Sequence, residues 1–368
     1  MVDYLTEIPL PGRRLAPPIA GAANRHTNVA QPTFVAGPEN RLVAAMFCRL
    51  LDVARLPSAT QANGARLVPA ILALFGPSGT GKSHLAQGLV RYWRQLHGDE
   101  SAEYVTATDF RREYAAAIRD DAILAFRRRV RARQLLAIDD LHHLPADEHL
   151  LQELRCTIDA YEEAGGTIVV TSARPASMLA NMSPDLRSRL ASGLMLQLTA
   201  PGTAARVRII RHASTAMGKP LSDDAAHRLA AGITGTAPDL IGALFELCSA
   251  PPDNGISDAS RAGQLLAART ARRPALRQII TIVARHTGIP QKQLKSGSRK
   301  QSIVLARAIV VYLARELAAA SYHEIGRALG GRDHTTIMHN YRKIERDRLD
   351  NSLIQESLDE LRRFLLNR

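Results

Sequence analysis

The strongest constraint on the fold of this chain is a glycine-rich loop that lies between an apolar run and a helical segment. Leu67–Phe75 reads LVPAILALF, and Gly76–Ser83 reads GPSGTGKS. A short apolar run that ends in glycine predicts a buried strand, and the residues from His84 to about Leu96 predict a helix. A strand, a loop of the form G-x-x-x-x-G-K-[ST] and a helix in this order are typical of a nucleotide-binding P-loop.

The residue types of this loop suit phosphate binding. Its glycines let backbone N–H groups wrap a phosphate, and the helix that follows adds the positive end of its dipole. We expect Lys82 to contact the β- and γ-phosphates of ATP, and the Ser83 hydroxyl to bind Mg²⁺. The predicted nucleotide-binding residues are Gly76, Ser78, Gly79, Thr80, Gly81, Lys82, Ser83 and His84.

Two carboxylates follow a second apolar segment. Gln134–Leu141 reads QLLAIDDL and predicts a strand with Asp139 and Asp140 near its end. We expect Asp139 to bind Mg²⁺ together with Ser83, and Asp140 to orient or deprotonate the attacking water. Thr167–Ser172 predicts a third buried strand. Strands that alternate with helices favour a doubly wound parallel α/β sheet, in which ligands bind at the carboxyl ends of the strands.

A helix-turn-helix is predicted near the carboxyl end of the chain. Ser321–Glu324 fits the S-x-x-E capping box and begins a short helix. Gly330–Gly331 ends that helix, and Asp333 is placed to cap a second one. Apolar residues at spacings of four and three predict the buried face of the second helix: Ile337, Tyr341 and Ile344.

The first turn of this second helix, Arg332–Thr336, is predicted to be exposed. The second helix of such a motif enters the major groove, where its N-terminal residues contact base edges. Threonine can contact thymine, aspartate can accept from cytosine, and histidine can bond a phosphate or a base. The alternative is that Asp333 and Thr336 only cap a helix that faces solvent.

Positive charge is concentrated in the same part of the chain. Residues 271–368 hold 19 Lys and Arg against 9 Asp and Glu, whereas the formal net charge of the whole chain is +13. A concentrated basic module is typical of nucleic-acid binding. Leu294–Ser302, here called the basic arm, contains Arg299 and Lys300 and precedes a predicted helix, Ile303–Leu317. Such an arm can reach the minor groove, and the alternative is an ordinary solvated linker.

Length and composition agree with a multidomain intracellular protein. A chain of 368 residues with 46% hydrophobic residues predicts two domains with sizeable cores. The three cysteines are isolated and fit neither a disulfide framework nor a metal site, which favours a reducing cytoplasm. No apolar run approaches the ~18 residues of a membrane span. The first 33 residues are rich in proline and predict a disordered leader without the apolar core of a signal peptide.

These motifs give the chain a clear resemblance to a known family. From Phe34 to the carboxyl end it resembles the DnaA family of bacterial chromosomal replication initiators, which are AAA+ ATPases. FVAGPEN resembles the start of the family's ATPase domain, GPSGTGKSH its Walker A motif and LLAIDDLHHL its Walker B motif. GGRDHTTIMHNYRKI, at residues 330–344, is similar to the family's DNA-binding hallmark.

The resemblance implies a fold that is α/β plus all-α. It divides the chain into a disordered leader (1–33), an AAA+ P-loop ATPase core (34–200), a helical lid and linker (201–270) and a helix-turn-helix DNA-binding domain (271–368). It implies ATP and Mg²⁺ as cofactors and a nucleoid-associated protein of the cytoplasm.

The resemblance also implies partners. Family members bind short boxes in double-stranded origin DNA, assemble as ATP-bound oligomers and open the adjacent duplex, so single-stranded DNA is a further expected ligand. A replicative helicase or its loader and acidic phospholipids complete the expected set. About 33 residues precede the ATPase core, fewer than the family's usual helicase-recruiting domain, so we expect helicase recruitment by another surface or by a separate loader. The alternative is a secondary copy of the initiator whose function is regulation.

Several site residues are implied by their match to the family's motifs. Arg189, in DLRSRL, matches the arginine finger that reaches a neighbour's γ-phosphate, with Arg187 as a rival. Arg189 and Asp140 are the predicted catalytic residues. Arg299 matches the minor-groove arginine. The full set of predicted DNA-binding residues is Arg299, Arg307, Arg315, Ser321, Arg332, Asp333, His334, Thr335, Thr336, Arg342 and Lys343.

The chain departs from the family at two nucleotide sensors. Pro238 stands where the family has the arginine of the second sensor, and proline has neither charge nor N–H. Ala173 stands where the first sensor is usually polar. We therefore expect ATP binding with weak, altered hydrolysis, used as a switch.

The chain also departs from the family where family members bind melted DNA. Asp109–Val130 matches the helical insertion that lines this channel and holds six arginines, but Ala115 and His149 replace a family valine and arginine. We expect duplex melting on the strength of the retained segment.

Three functions are compatible with these features. The first is a replication initiator that assembles on double-stranded boxes under control of ATP. The second is a sequence-specific regulator of transcription or replication that binds ATP but does not melt DNA. The third is a helicase-loader ATPase, which the helix-turn-helix disfavours. Arg189 favours the first over the second, because an arginine finger implies assembly.

Overall fold

A computed structural model of the chain describes residues 5–10, 33–55, 61–62, 65–66, 68–233, 235–249, 257–271, 274–350 and 352–366. The chain divides into two compact units, Met1–Leu265 and Leu266–Arg368. Within the described ranges, no helix combines the length and the apolar character needed to cross a membrane.

The described strands all lie in the first unit: β1 (Thr6–Pro9), β2 (Thr33–Ala36), β3 (Gln61–Ala62), β4 (Ala65–Arg66), β5 (Ile71–Phe75), β6 (Ala102–Thr106), β7 (Leu135–Asp139), β8 (Thr167–Ser172) and β9 (Leu194–Gln197). Among the described residues, ten α-helices begin in that unit: α1 (Arg41–Ala54), α2 (Lys82–His97), α3 (Ala107–Arg119), α4 (Ile123–Arg131), α5 (Glu148–Glu163), α6 (Pro184–Ala191), α7 (Thr203–Ala216), α8 (Asp223–Gly232), α9 (Ala237–Ser249) and α10 (Asp258–Ala271).

Five strands form one parallel sheet in the order β6-β7-β8-β5-β9. Along each strand, alternate side chains enter two different cores. Leu72 and Leu74 pack in a core with α1 and α2, whereas Ile71 and Ala73 pack in a core with helices α3 to α6. Helices therefore cover both faces, and the predicted doubly wound α/β fold is confirmed.

The predicted strands are present with narrower limits in two cases. β7 ends at Asp139 because Asp140 takes a left-handed conformation, with φ of 55°, that turns the chain out of the sheet. β5 begins at Ile71, and Leu67 lies outside the described residues. The register aligns Phe75 with Ser172 and Thr106 with Asp139, so the motif-bearing ends of these strands lie at one edge of the sheet.

The prediction of a disordered leader is wrong for its first described segment. β1 pairs antiparallel with β2, and its Ile8 and the following Leu10 are fully buried in the core with α1 and α2. A Cβ on Gly88 of α2 would lie 2.5 Å from Leu10 Cδ1, so this helix leaves room for the leucine. Burial of two large apolar side chains outweighs the proline-rich composition of the leader. Residues 11–32 lie outside the described residues.

The second unit is helical. Its helices are α11 (Leu276–Thr287), α12 (Gln291–Lys295), α13 (Gln301–Leu317), α14 (Tyr322–Ala328), α15 (His334–Asp350) and α16 (Ser352–Leu366). The predicted capping box is confirmed at the start of α14, where Ser321 and Glu324 bond reciprocally. Gly330 and Gly331 have φ of 94° and 76° and turn the chain between α14 and α15. Ile337 and Ile344 are fully buried, as their spacing predicts.

Candidate functional site

The loop Gly76–Ser83 folds into a cradle at the end of β5. Gly76, Gly79 and Gly81 have φ of 148°, 74° and 101°. A Cβ at Gly76 would lie 2.1 Å from Leu198 O, so only glycine fits there. Lys82 begins α2, and its Nζ donates to Gly76 O and to the next carbonyl, each at 2.9 Å. Burial lowers the pKa of Lys82, against the opposing effects of nearby carboxylates.

Asp139 is the centre of a hydroxyl cluster at the end of β7. Its Oδ1 accepts from Ser83 Oγ at 3.0 Å and from the Thr171 hydroxyl, and its Oδ2 accepts from Tyr104 OH at 2.6 Å. The side chain is buried. A carboxylate beside a serine hydroxyl is the hard oxygen donor set that Mg²⁺ prefers, so the residues present fit this ion when nucleotide phosphates supply further oxygens.

Asp140 follows Asp139 at the turn that ends β7. Its backbone N–H donates to Thr171 Oγ1 at 2.9 Å, which fixes the turn after β7. Burial, and then the charge of Asp139, raises the pKa of Asp140. A carboxylate with a raised pKa that lies beside a phosphate loop can accept a proton from water. The role of Asp140 as the base that activates water stays a prediction.

A cavity of about 560 Å³ lies over the phosphate loop. Loop residues and His84 line its floor, Phe34 and Val35 of β2 line one wall, and residues of α7 and α9 line the other. All predicted nucleotide-binding residues except Gly76 border this cavity. Burial, and then the charge of Arg91, lowers the pKa of His84. Both walls are mainly apolar and suit a flat nucleobase.

The two sensor positions lie beside this site without polar side chains. Pro238 is in the first turn of α9 and borders the cavity. The N–H of Ala173, after β8, donates to His142 Nδ1 at 3.4 Å. Burial, and then the charge of His143, lowers the pKa of His142 to about 4, so this imidazole is neutral near pH 7. Sequence reasoning did not single out His142, because only the folded strands place it against the first-sensor position.

Arg189 lies on α6 and is engaged within the chain. Its Nη2 contacts Asp159 Oδ1 and Glu162 Oε2, each at 2.7 Å. The side chain is 37% exposed. Its rival Arg187 has no side-chain hydrogen bond or ion pair in the described part of the chain. An arginine finger at Arg189 would have to exchange these carboxylates for a phosphate.

The helical insertion is present as α3 and α4, but much of its positive charge is paired. Arg127 and Arg131 bind the buried carboxylate of Glu153. Arg129 binds Glu103 and Glu113. Arg112 is paired with Asp109 on α3, and Arg119 contacts Asp120 at 3.6 Å. Of the six arginines, Arg111 and Arg128 are exposed and have no partner among the described residues.

In the second unit, the first turn of α15 is exposed at four consecutive positions: Asp333, His334, Thr335 and Thr336. Asp333 accepts from the Thr335 N–H at 2.8 Å and from its hydroxyl at 2.6 Å. These two bonds lower the pKa of Asp333 and keep it ionised. The carboxylate thus caps the helix, and its second oxygen has no hydrogen-bond partner among the described residues.

The other predicted DNA residues fall into exposed and engaged groups. Arg299 and Arg342 are exposed, and Lys343 is half-buried. Ser321 is exposed, but its hydroxyl is engaged in the capping box of α14. Arg315 donates to Ala320 O at 2.8 Å and lies 4.5 Å from the centre of the Tyr322 ring. The prediction that Arg332 is exposed is wrong, because its side chain is half-buried and donates to Ser296 O.

Arg307 is the exception. It is only 2% exposed, and its guanidinium is surrounded by backbone carbonyls of residues 293–298. This burial contradicts the prediction that Arg307 contacts DNA. The sequence could not show it, because arginine in a basic region is ordinarily exposed.

Comparisons with known proteins agree with both parts of the structure. The family model for the bacterial DnaA ATPase domain matches residues 26–197, and the model for the bacterial DnaA helix-turn-helix matches residues 276–344. The chain is 32% identical to the chromosomal replication initiator protein DnaA of Mesorhizobium japonicum, over 96% of this chain and 75% of that protein. It is 31% identical to DnaA of Thermus thermophilus, over 85% and 70%.

Solved structures show the same fold. A DNA replication initiation factor superimposes with a TM-score of 0.56 and 22% identity, covering 91% of this chain and 96% of that chain. A replication initiator DnaA bound to AMPPCP and single-stranded DNA gives 0.54 and 23%, covering 89% and 96%. With the P-loop, the Asp139 cluster and the exposed turn of α15 in place, the chain belongs to the DnaA family of bacterial chromosomal replication initiators.

Proposed function

We propose that this protein initiates chromosomal DNA replication as an ATP-controlled, DNA-bound oligomer. The observation that carries the proposal is the joint presence of an ordered phosphate-binding site and an exposed base-reading turn in one chain. The first consists of Lys82, Ser83 and Asp139, and the second of Asp333–Thr336. A relative of the same fold is described as bound to AMPPCP and single-stranded DNA, which supports both ligands.

ATP would bind in the cavity over the phosphate loop, with its base against the apolar wall. Lys82 would exchange its two loop carbonyls for phosphate oxygens, and the backbone N–H groups of Gly79–Lys82 would donate to the same phosphates. Ser83 and Asp139 would hold Mg²⁺, which supplies positive charge to the phosphates. Asp140 would accept the proton of the attacking water, and its raised pKa suits this role.

ATP control of assembly depends on Arg189. Its ion pairs with Asp159 and Glu162 are partly exposed, and pairs of this kind contribute at most about 1 kcal/mol. A γ-phosphate of a neighbouring subunit carries more charge than either carboxylate and accepts a bidentate contact. Movement of the Arg189 side chain from these carboxylates to the phosphate would therefore cost little free energy. It would link the nucleotide state to oligomerisation.

DNA binding would use α15 in the major groove and Arg299 in the minor groove. Double-stranded boxes at the origin are the expected ligand, and single-stranded DNA would contact α3 and α4 through Arg111 and Arg128. Helicase, loader and acidic-phospholipid partners, as well as nucleoid association, stay predictions from the family resemblance.

A second function is favoured by specific features of the site. Pro238 and Ala173 remove two groups that sense the γ-phosphate, and the insertion keeps only two unpaired arginines in the described segment. These features suit a DnaA-like regulator of transcription or replication that binds ATP and boxes without melting DNA.

Origin unwinding distinguishes the two functions. Purified protein would be added to a supercoiled plasmid carrying the native origin, and unpaired thymines would be detected by permanganate. The initiator proposal predicts ATP-dependent opening, lost in Lys82→Ala. Box binding without opening in either nucleotide would support the regulator.

A further inference from the structure

A buried arginine lies beneath the basic arm. Arg307 Nε donates to Leu294 O at 2.7 Å, and its Nη1 donates to Ser298 O at 2.6 Å. Its Nη2 donates to Gln293 O at 2.9 Å and to Ser296 O at 2.5 Å. Four carbonyls from six consecutive residues therefore converge on one planar guanidinium. Because the guanidinium holds its donors in a rigid fork, these bonds fix the path of the arm's backbone.

The helix-turn-helix holds the same segment from another side. Arg332, two residues before α15, donates to Ser296 O as well. A Cβ at Gly330 would lie 2.2 Å from Lys295 O, so the turn between α14 and α15 packs directly on the backbone before the arm's exposed part. The arm is thus fixed to the module that carries the major-groove residues.

Residues 299–302 form an exposed stretch of the arm directly after these contacts. Arg299 follows Ser298, whose carbonyl binds Arg307, and precedes Lys300, the residue before α13. The Arg299 side chain is exposed and has no hydrogen bond or ion pair among the described residues. Burial, and then the charge of Arg332, lowers the pKa of Arg307, but arginine stays protonated in proteins. The positive charge of Arg307 is therefore engaged by the carbonyls of the arm.

We propose that Arg307 is a positioning residue for DNA reading: it holds the basic arm in the shape that presents Arg299 to the minor groove, and it does not contact DNA. The inference rests on the DNA binding proposed above. An arm that is already ordered loses less conformational entropy when it binds, so positioning raises the contribution of Arg299. Arg332 supports the same shape through Ser296.

The test is a double-mutant cycle on the full-length protein. The probe is a duplex that wild-type protein selects from a randomised library, with a random duplex for comparison. Arg299→Ala should weaken binding to the selected duplex by about 10- to 100-fold. Arg307→Met should cause a similar loss in the wild-type background but less than about a twofold loss in Arg299→Ala, since neighbours that act as a unit are not additive.

Matched variants separate positioning from charge. Arg307→Lys keeps the positive charge but lacks the fork, so it should not restore affinity. Thr335 lies on the major-groove side, so the affinity losses of Arg307→Met and Thr335→Ala should be additive in the double variant. Arg285→Met, which removes an exposed positive charge on α11, should leave the affinity within about twofold.

A glycine pair provides the same test without removing a buried charge. Gly330→Ala and Gly331→Ala both place alanine at positive φ, but the Cβ of Gly331 would meet nothing within 4 Å. Gly330→Ala should therefore reproduce the loss seen in Arg307→Met, and Gly331→Ala should not. If thermal unfolding shows that Arg307→Met does not fold, the two glycine variants test the inference in its place.

Several results would overturn the inference. Additive losses for Arg307→Met and Arg299→Ala, rescue by Arg307→Lys, or a salt slope lower by about 1 for Arg307→Met in the Arg299→Ala background would each indicate a direct phosphate contact. Equal effects of the two glycine variants would show that the arm's shape does not matter. If wild-type protein selects no sequence, the proposed function itself fails and the inference with it. If it selects one and Arg299→Ala has no effect, only the inference fails.

Discussion

Ser83 Oγ donates to Asp139 Oδ1 at 3.0 Å, which joins the end of the phosphate loop to the end of β7. If this pair holds Mg²⁺, Asp139→Asn should weaken Mg²⁺-dependent ATP binding by at least about tenfold. The neighbouring Asp140→Asn is the control, and should bind ATP normally while turnover falls by about 100-fold or more. Calorimetric titration of ATP with Mg²⁺ and with EDTA measures the affinity of both variants, and steady-state hydrolysis measures turnover. Equal Mg²⁺ dependence in Asp139→Asn and wild type would contradict the metal assignment.

The proline in the first turn of α9 should limit the response to the γ-phosphate. Pro238→Arg returns a cation to the cavity wall, so we expect faster ATP turnover and a larger difference between ATP and ADP affinity. Ser249→Arg adds the same charge at the exposed far end of α9, about 16 Å along the helix axis, and should change neither. Steady-state hydrolysis and nucleotide titration provide the readouts. The hypothesis is wrong if Pro238→Arg behaves like Ser249→Arg.

His142 should make the stability of the first unit depend on pH. Its folded pKa is about 4, whereas an unfolded histidine titrates near about 6.5. Between these values the unfolded chain binds a proton that the folded chain does not. Stability should therefore rise with pH through this window and be lost as pH falls from about 6.5 toward about 4. His142→Gln should reduce this loss by at most about 3 kcal/mol. Denaturant unfolding of both proteins across the window measures it, and parallel profiles would contradict the prediction.

The segment that contains β1 should contribute to the stability of the ATPase unit. Leu10 is fully buried against α2, so Leu10→Ala should lower the free energy of unfolding by about 2–5 kcal/mol. Glu7→Gln changes only a partly exposed carboxylate that contacts Arg208 and His212, and should cost at most about 1 kcal/mol. Chemical denaturation followed by circular dichroism compares the two. A loss for Leu10→Ala no larger than for Glu7→Gln would show that the strand is not part of the core.

Much of the fold could be predicted because local signals and tertiary structure agree. The strand before Gly76, the carboxylates after β7 and the capping box at Ser321 each follow from a few neighbouring residues. Ligand-bearing strand ends then lie together because the sheet is parallel. The same local reasoning gave the exposed turn at Asp333–Thr336, since the buried positions of α15 lie on its other side.

The remaining features depend on contacts between distant residues. Arg307 is buried because the arm's carbonyls converge on it, and no sequence pattern marks that convergence. Arg189 pairs with Asp159 because α5 and α6 pack side by side. β1 is a strand only because it pairs with β2, which begins 24 residues later. Each of these contacts changes which charged or apolar groups are available, and so changes the chemistry assigned to the site.

A nuclease footprint on the native origin region, with ATP and with ADP at fixed salt, tests most directly whether this chain is an ATP-controlled initiator. We expect protection of discrete double-stranded boxes in both nucleotides, extending into adjacent AT-rich DNA only with ATP. Arg189→Ala should keep the boxes and lose the extension. The same short footprint with either nucleotide would contradict ATP-controlled assembly and favour a regulator.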